Sequence, residues 1–256
     1  MSVFELYAAY YDLLYRDKDY GAEAKYIADF IYQYSPKAKT ILELGCGTGA
    51  HAAQLAVLDF DVTGIDMSES MLDRAKERRA GLGADIANRL QFALGDVRTC
   101  RLDVSFDVVI SLFHVFSYQT TNEDLLAAFQ TAATHLRPGG LLIFDYWFGP
   151  AVLTQRPEVR IKRFEDEQFR VMRVAEPTMN PVGNRVTVEY LVQIDAKTDG
   201  RSERVQERHD MRYLFIPEIE SLSSRWFMPE AHYAWLTRRT PGISDWAGVT
   251  VLVRRR

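Results

Sequence analysis

The strongest constraint on the fold is a junction. The apolar run Thr40–Leu44 gives way at once to Gly45, Gly47 and Gly49, and then to a helix-forming stretch from Ala50. A strand that feeds a helix through so tight a glycine turn opens a βαβ unit, where the backbone can approach a ligand at the helix N-terminus. The spacing is G-x-G-x-G and differs from the G-x-G-x-x-G of dinucleotide binding. Asp66 closes the next strand about 20 residues on, where a carboxylate can accept a hydrogen bond from a ribose hydroxyl. With Glu43 just before the turn, these residues form a candidate nucleoside site. The plain alternative is a glycine turn with an incidental acid at a strand end.

The same alternation extends along the first 146 residues. Ile27, Phe30, Ile31 and Tyr34 recur at helical spacing from Glu23 and stop at Ser35 and Pro36. Strands are expected at Asp61–Ile65, Leu90–Ala93, Phe106–Ser111 and Leu141–Tyr146, with helices at Ala50–Leu58, Ser68–Arg79 and Asn122–His135. Ser68 and Ser70 are candidate caps for the second of these helices. Such alternation predicts an α/β protein with a Rossmann-like, doubly wound, mostly parallel sheet. After Pro150 the period changes to two, as in Arg185–Val192, with turn signals at Asn180-Pro181 and Asp199-Gly200. This predicts an inserted antiparallel β-sheet after the fifth strand. A helix at Pro217–Arg225 and strands at His232–Thr237 and Gly248–Arg254 close the chain. The expected division is an N-terminal aromatic lid and helix (1–37), a core (38–150), an inserted sheet (151–214) and closing elements (215–256).

Composition narrows the class. The 256 residues carry 31 Lys and Arg against 35 Asp and Glu, a net charge of −4 that does not suggest a nucleic-acid binder. No apolar run has the length of a membrane span and no leader pattern opens the chain, so a cytoplasmic protein is expected. Cys46 and Cys100 form neither a CxxC pair nor a Cys/His cluster, so no disulfide framework and no metal site is expected.

In this ordered set of motifs the chain resembles the class I S-adenosylmethionine-dependent methyltransferases. Glu43–Gly49 matches that family's glycine motif and Val62–Ser68 its acidic one. Gly95–Arg98 matches the adenine-contacting segment, and Phe106–Phe116 and Leu136–Asp145 match the later strands. The resemblance implies S-adenosylmethionine as cofactor, with Gly45, Gly47 and Gly49 along its methionine part and Asp66 on the ribose. Met67 would pack on the adenine, Asp96 and Val97 would hold its amino edge, and Leu112 would stand beside the sulfonium. A further likeness, carried by the tyrosine-rich N-terminus and the insertion, is to N-methyltransferases of nucleotide-linked amino sugars. It implies that Tyr11 and Tyr20 approach the cofactor, and it departs at Tyr118, where that subgroup tends to carry a histidine.

The residues themselves nominate His114 and Tyr118 as catalytic candidates, since both follow the fourth strand at the carboxyl edge where open α/β sheets bind ligands. Each also reads as an ordinary loop polar group. Trp147 follows the fifth strand as a candidate substrate-pocket wall. Arg204, Arg208 and Arg212 share one strand face by parity and could meet a diphosphate, with His209 and Arg212 nearest the core. A solvated face or a homodimer contact is the alternative. The expected activity is methyl transfer to an amine or hydroxyl of a small molecule, with a nucleotide-linked sugar as the leading class. A non-catalytic cofactor binder and a nicotinamide-dependent oxidoreductase are the competing readings.

Overall fold

The computed structural model describes residues 14–165, 167–197 and 200–256. Asp19 opens the first helix, α1 (Tyr20–Tyr34), its carboxylate accepting from the Ala22 amide at 2.8 Å. There follow β1 (Thr40–Leu44), α2 (Ala50–Val57), β2 (Asp61–Asp66), α3 (Glu69–Ala80), a short α4 (Ala84–Ala87) and β3 (Leu90–Leu94). Ser68 caps α3, its hydroxyl accepting from the Met71 amide. Next come β4 (Phe106–Ser111), α5 (Asn122–His135), β5 (Leu136–Trp147) and α6 (Gly149–Gln155).

These strands build a seven-stranded sheet in the order β10-β11-β5-β4-β1-β2-β3, with β10 (Phe227–Ala234) and β11 (Ala247–Arg254) contributed by the chain's end. β3, β2, β1, β4 and β5 are parallel, and β11 runs antiparallel to both β5 and β10. β1 pairs with β2 on one side and β4 on the other, so the winding reverses there and opens a crevice at the strands' carboxyl ends. Successive residues of β1 serve opposite faces. Ile41 packs with Ile27, Phe30 and Leu55 under α1 and α2, while Leu42 and Leu44 pack with Phe129 and Ile219 on the other face.

The inserted segment forms a separate four-stranded antiparallel sheet in sequential order: β6 (Arg160–Glu165), β7 (Phe169–Asn180), β8 (Arg185–Ala196) and β9 (Ser202–Arg212). From β9 the chain returns through α7 (Ile216–Ser223) to β10. The doubly wound sheet with an antiparallel insertion after the fifth strand is thus the architecture the alternation predicted.

Some local expectations are corrected. β5 begins at Leu136 and runs through Pro138, Gly139 and Gly140, a stretch that reads as a turn, because its pairing with β4 shifts register between Phe106 and Val108. β10 starts at Phe227 and ends at Ala234, so the expected strand at His232–Thr237 is displaced toward the N-terminus. Among the described residues, no helix is long and apolar enough to cross a membrane.

Candidate functional site

The three glycines of the first turn all have positive φ, but for different reasons. A Cβ on Gly45 would lie 2.7 Å from Val115 Cγ2, and one on Gly49 would lie 2.8 Å from Phe92 Cζ and 3.1 Å from Ala75 Cβ. At Gly47 (φ 54°) a Cβ would meet nothing within 4 Å. Gly45 and Gly49 therefore make room for the protein, whereas Gly47 keeps space open in front of its backbone. The turn is fastened to β2: the Gly45 and Cys46 amides donate to the Ile65 carbonyl, and the Gly47 amide donates to Asp66 Oδ2 at 2.8 Å. Asp66 Oδ1 accepts from the Ser68 amide at 2.9 Å. Burial still raises the Asp66 carboxyl above its usual range, against these backbone donors.

In front of the turn lies a cavity of about 580 Å³. Gly45, Gly47, Asp66 and Ser68 line it, as do Leu112, His114, Tyr118 and Trp147. The inserted sheet supplies Arg173, Tyr190, Glu207, His209 and Met211. Tyr20 closes it from α1, its ring edge-on to His51 at 4.9 Å. Of the expected cofactor residues, Glu43, Gly49, Met67, Asp96 and Val97 do not line this cavity. Met67 is 72% exposed beyond Asp66, and Val97 packs against the core. Asp96 is engaged by Arg98, whose guanidinium also pairs with Asp124; the Arg98 hydrogen bonds hold the Asp96 carboxyl below its ordinary range. Tyr11 lies outside the described residues.

Next to the glycine turn runs a chain of buried and half-buried ionisable groups. Lys18 Nζ pairs with Glu23 Oε1, Glu23 Oε2 meets His51 Nε2 at 2.7 Å, and His51 Nδ1 stands 3.8 Å from Glu43 Oε1. Burial works to raise the Glu23 carboxyl, but His51 and Lys18 outweigh it and hold it below its usual value. Glu43 is only 1% exposed, and its Oε2 has no hydrogen-bond partner. Burial, reinforced by the nearby Asp66 charge, pushes its pKa up to about 8. The folded protein therefore keeps a proton that the unfolded chain releases near 4.5. Glu43's contribution to stability is whole below pH 4.5 and is lost as pH rises through about 8. Glu43→Gln should flatten the fall in stability across that window in thermal melts of ligand-free protein. A variant that follows the wild-type slope would refute this assignment.

The inserted-sheet side of the cavity differs from the expected cationic face. Arg212 is 8% exposed and does not reach the cavity; its guanidinium pairs with Glu218 of α7 and donates to Asn122 Oδ1 at 2.7 Å. Arg204 is exposed. Arg208 reaches the lining, but its guanidinium is held by Asp210 and Glu189. β9 lines the cavity with Gln206, Glu207, Arg208, His209 and Met211, and the pairing of His209 and Met211 with Val188 and Val186 of β8 puts these two on the face that the buried valines share. His209 Nδ1 lies 2.7 Å from the Tyr118 hydroxyl, which brings together two of the expected site residues, one from the turn after β4 and one from β9.

His114 sits in the left-handed region (φ 65°), its amide donating to Asp145 Oδ1 at 2.9 Å. Its Nδ1 is 2.8 Å from Asp145 Oδ2, a close contact outside hydrogen-bond geometry. Tyr15, Arg173, Tyr190 and Glu207 were not nominated from sequence. Arg173 donates to the Tyr15 hydroxyl at 3.1 Å and lies over the Tyr190 ring at 5.1 Å. The parity of Val186, Val188, Tyr190 and Val192 was the available signal for Tyr190; no local pattern pointed to the others.

Comparison with known proteins places this geometry in a family. A family profile described as a methyltransferase domain matches residues 41–140. The dTDP-3-amino-3,4,6-trideoxy-alpha-D-glucopyranose N,N-dimethyltransferase of Streptomyces venezuelae is 37% identical over 146 residues, 56% of this chain and 58% of that enzyme. The dTDP-3-amino-3,6-dideoxy-alpha-D-glucopyranose N,N-dimethyltransferase of Streptomyces fradiae is 31% identical over 187 residues, covering 72% of this chain and 70% of the relative. An amino pentose methyltransferase of calicheamicin biosynthesis from Micromonospora echinaspora, solved with S-adenosylmethionine bound, superposes with a TM-score of 0.75 at 26% identity. That superposition covers 97% of this chain and 96% of the other. The chain belongs to the class I S-adenosylmethionine-dependent methyltransferases.

Proposed function

We propose that this protein methylates the amino nitrogen of a nucleotide-linked amino sugar. The observation that carries the reading is the continuity of one cavity from Gly47 and Asp66 to an aromatic and charged wall on the inserted sheet. The amino-sugar N,N-dimethyltransferases among its relatives support the acceptor class.

The residues present fit the cofactor. Gly47 leaves its side-chain space open, Asp66 presents a strand-end carboxylate, and the unpartnered Glu43 oxygen lies just behind. When bound, S-adenosylmethionine supplies a methyl group on a positively charged sulfur. Asp66 would hold the ribose hydroxyls and Gly45 and Gly47 the methionine part. Asp96 and Val97, just after β3, would flank the adenine with Met67. Leu112 and Tyr20 would exclude water beside the sulfur. Trp147 and Tyr190 would wall the sugar, and Arg173, which lines the cavity from β7, would meet its phosphates. Holding acceptor and methyl donor in line can lower the barrier by about 7–11 kcal/mol.

The direct test is incubation with S-adenosylmethionine and a dTDP-linked amino sugar, read by mass spectrometry. Addition of one or two methyl groups to the nitrogen is expected. Tight binding of S-adenosylhomocysteine without any product from amino sugars would overturn the acceptor assignment. Asp66→Asn should weaken S-adenosylhomocysteine binding by about 10–100-fold, the loss expected for a hydrogen bond to a charged group. Unchanged affinity in calorimetry would remove Asp66 from the cofactor site.

A further inference from the structure

Methylating an amine raises a question of protons. An alkylammonium has no lone pair, so one proton must leave before the nitrogen can attack the methyl carbon. The cavity holds a chain of groups suited to that step, assembled from the turn after β4 and from β9. The Tyr118 hydroxyl, at the end of a short 3-10 turn (Val115–Tyr118) after β4, is 2.7 Å from His209 Nδ1. His209 Nε2 is in turn 3.1 Å from Glu207 Oε2. Both joints are within hydrogen-bond geometry, and all three residues line the cavity. The arrangement sets the tautomer: Nε2–H donates to Glu207, leaving Nδ1 to accept from the phenol.

Resting on the amino-sugar reading above, we propose that Tyr118, His209 and Glu207 form a proton relay that strips the acceptor ammonium. Tyr118 accepts a proton from the ammonium nitrogen while its own hydroxyl proton passes to His209 Nδ1. The imidazolium so formed is stabilised by the Glu207 carboxylate. The freed lone pair then forms the N–C bond as the S–C bond breaks, with its electron pair going to sulfur. The products are the methylated ammonium, a neutral thioether and the proton on His209, which returns to solvent. Tyr118 is the catalytic residue here; His209 and Glu207 act through it.

The surroundings suit a neutral phenol that both donates and accepts. Although 45% of Tyr118 remains accessible through the cavity, desolvation, then Tyr15, Tyr190 and Glu207, raise its pKa above the ordinary phenol value. His209 stands edge-on to Tyr190 at 5.0 Å. Arg173 of β7 lies against Tyr15 and Tyr190, and Arg208 of β9 is tied to Asp210 and Glu189. His114 with Asp145 is the rival base on the core side, but its Nδ1 contact lacks hydrogen-bond geometry.

The experiment is single-turnover methyl transfer to a dTDP-linked amino sugar from pH 6 to pH 9.5, for wild type and for Tyr118→Phe, His209→Gln, Glu207→Gln and His114→Gln. S-adenosylhomocysteine affinity is measured in parallel. At pH 6–7 the Tyr118 and His209 variants should lose about 10²–10⁴-fold in rate, the usual range for general-base assistance. Glu207→Gln should lose less. All three should approach wild type near pH 9.5, where the amine has shed its proton unaided, and cofactor affinity should stay unchanged. A uniform loss across pH, or a wild-type profile in Tyr118→Phe and His209→Gln, overturns the relay. A pH-dependent loss in His114→Gln alone assigns the base to His114 and likewise overturns it. Failure of wild type to methylate the amino sugar at any pH defeats the acceptor reading instead.

Discussion

Gly49→Ala is expected to destabilise the protein by about 3 kcal/mol, while Gly47→Ala, two residues away, should fold well and fail to hold the cofactor. Both positions have positive φ, 70° and 54°, so each alanine pays the left-handed backbone cost of about 1–2 kcal/mol. They differ in what the new methyl group meets. At position 49 it lands 2.8 Å from the Phe92 ring and 3.1 Å from Ala75, where α2, α3 and β3 converge. Overpacking of that kind adds about 1–3 kcal/mol. For a chain of this size the sum corresponds to a melting temperature lower by about 6–12 °C. At position 47 the methyl projects into open space before the turn, so the backbone cost stands alone. Its consequence is read by calorimetry: S-adenosylhomocysteine binding should fall by at least about tenfold, as the methyl intrudes where the ligand must pass close to the backbone. Equal melting temperatures for the two variants, or wild-type affinity in Gly47→Ala, would contradict this division of labour.

The second large effect is expected at the Arg212–Glu218 pair. Arg212 is buried between β9 and α7, with Asn122 as its other partner. Removing one member of a buried pair leaves an uncompensated charge, at about 3–5 kcal/mol. Glu218→Ala should therefore destabilise the fold by that amount in denaturant titrations. The double change Arg212→Met with Glu218→Leu should recover much of the loss, since well-packed apolar replacements of buried ion pairs are often neutral. The double variant should also retain the Michaelis constant for its acceptor, because this arginine holds the inserted sheet to the core and does not face the cavity. A raised Michaelis constant in a stable double variant would return Arg212 to the substrate site.

That outcome bears on how much of the site the sequence reveals. The glycine turn and Asp66 are legible because their signals are local: strand, tight turn, helix and a second strand end within about 20 residues. The doubly wound core follows from the same alternation. Parity predicted a shared face for Arg204, Arg208 and Arg212, yet parity alone does not say which face turns inward. That choice is made by pairing. Val188 and Val186 are buried, and they pair with His209 and Met211, which line the cavity, whereas Arg212 turns to Glu218 and Asn122. Tyr15 and Arg173 are 158 residues apart in sequence and meet only through the fold. Tyr118 and His209, 91 residues apart, were both nominated, but nothing in the sequence joined them.

The two-sheet construction of the cavity has a consequence for divergence. The glycine turn, Asp66 and the Glu43–His51–Glu23 chain belong to the large sheet and the helices on it, whereas β7, β8 and β9 line the cavity from the inserted sheet. Val171, Val192, Ile194 and Val205 give the smaller sheet an apolar cluster of its own, shared with Leu14. Under the proposed function, exchanges among its cavity-facing side chains would change what is methylated while leaving the glycine turn and Asp66 in place. On that reading a lineage built this way would try new acceptors one side chain at a time.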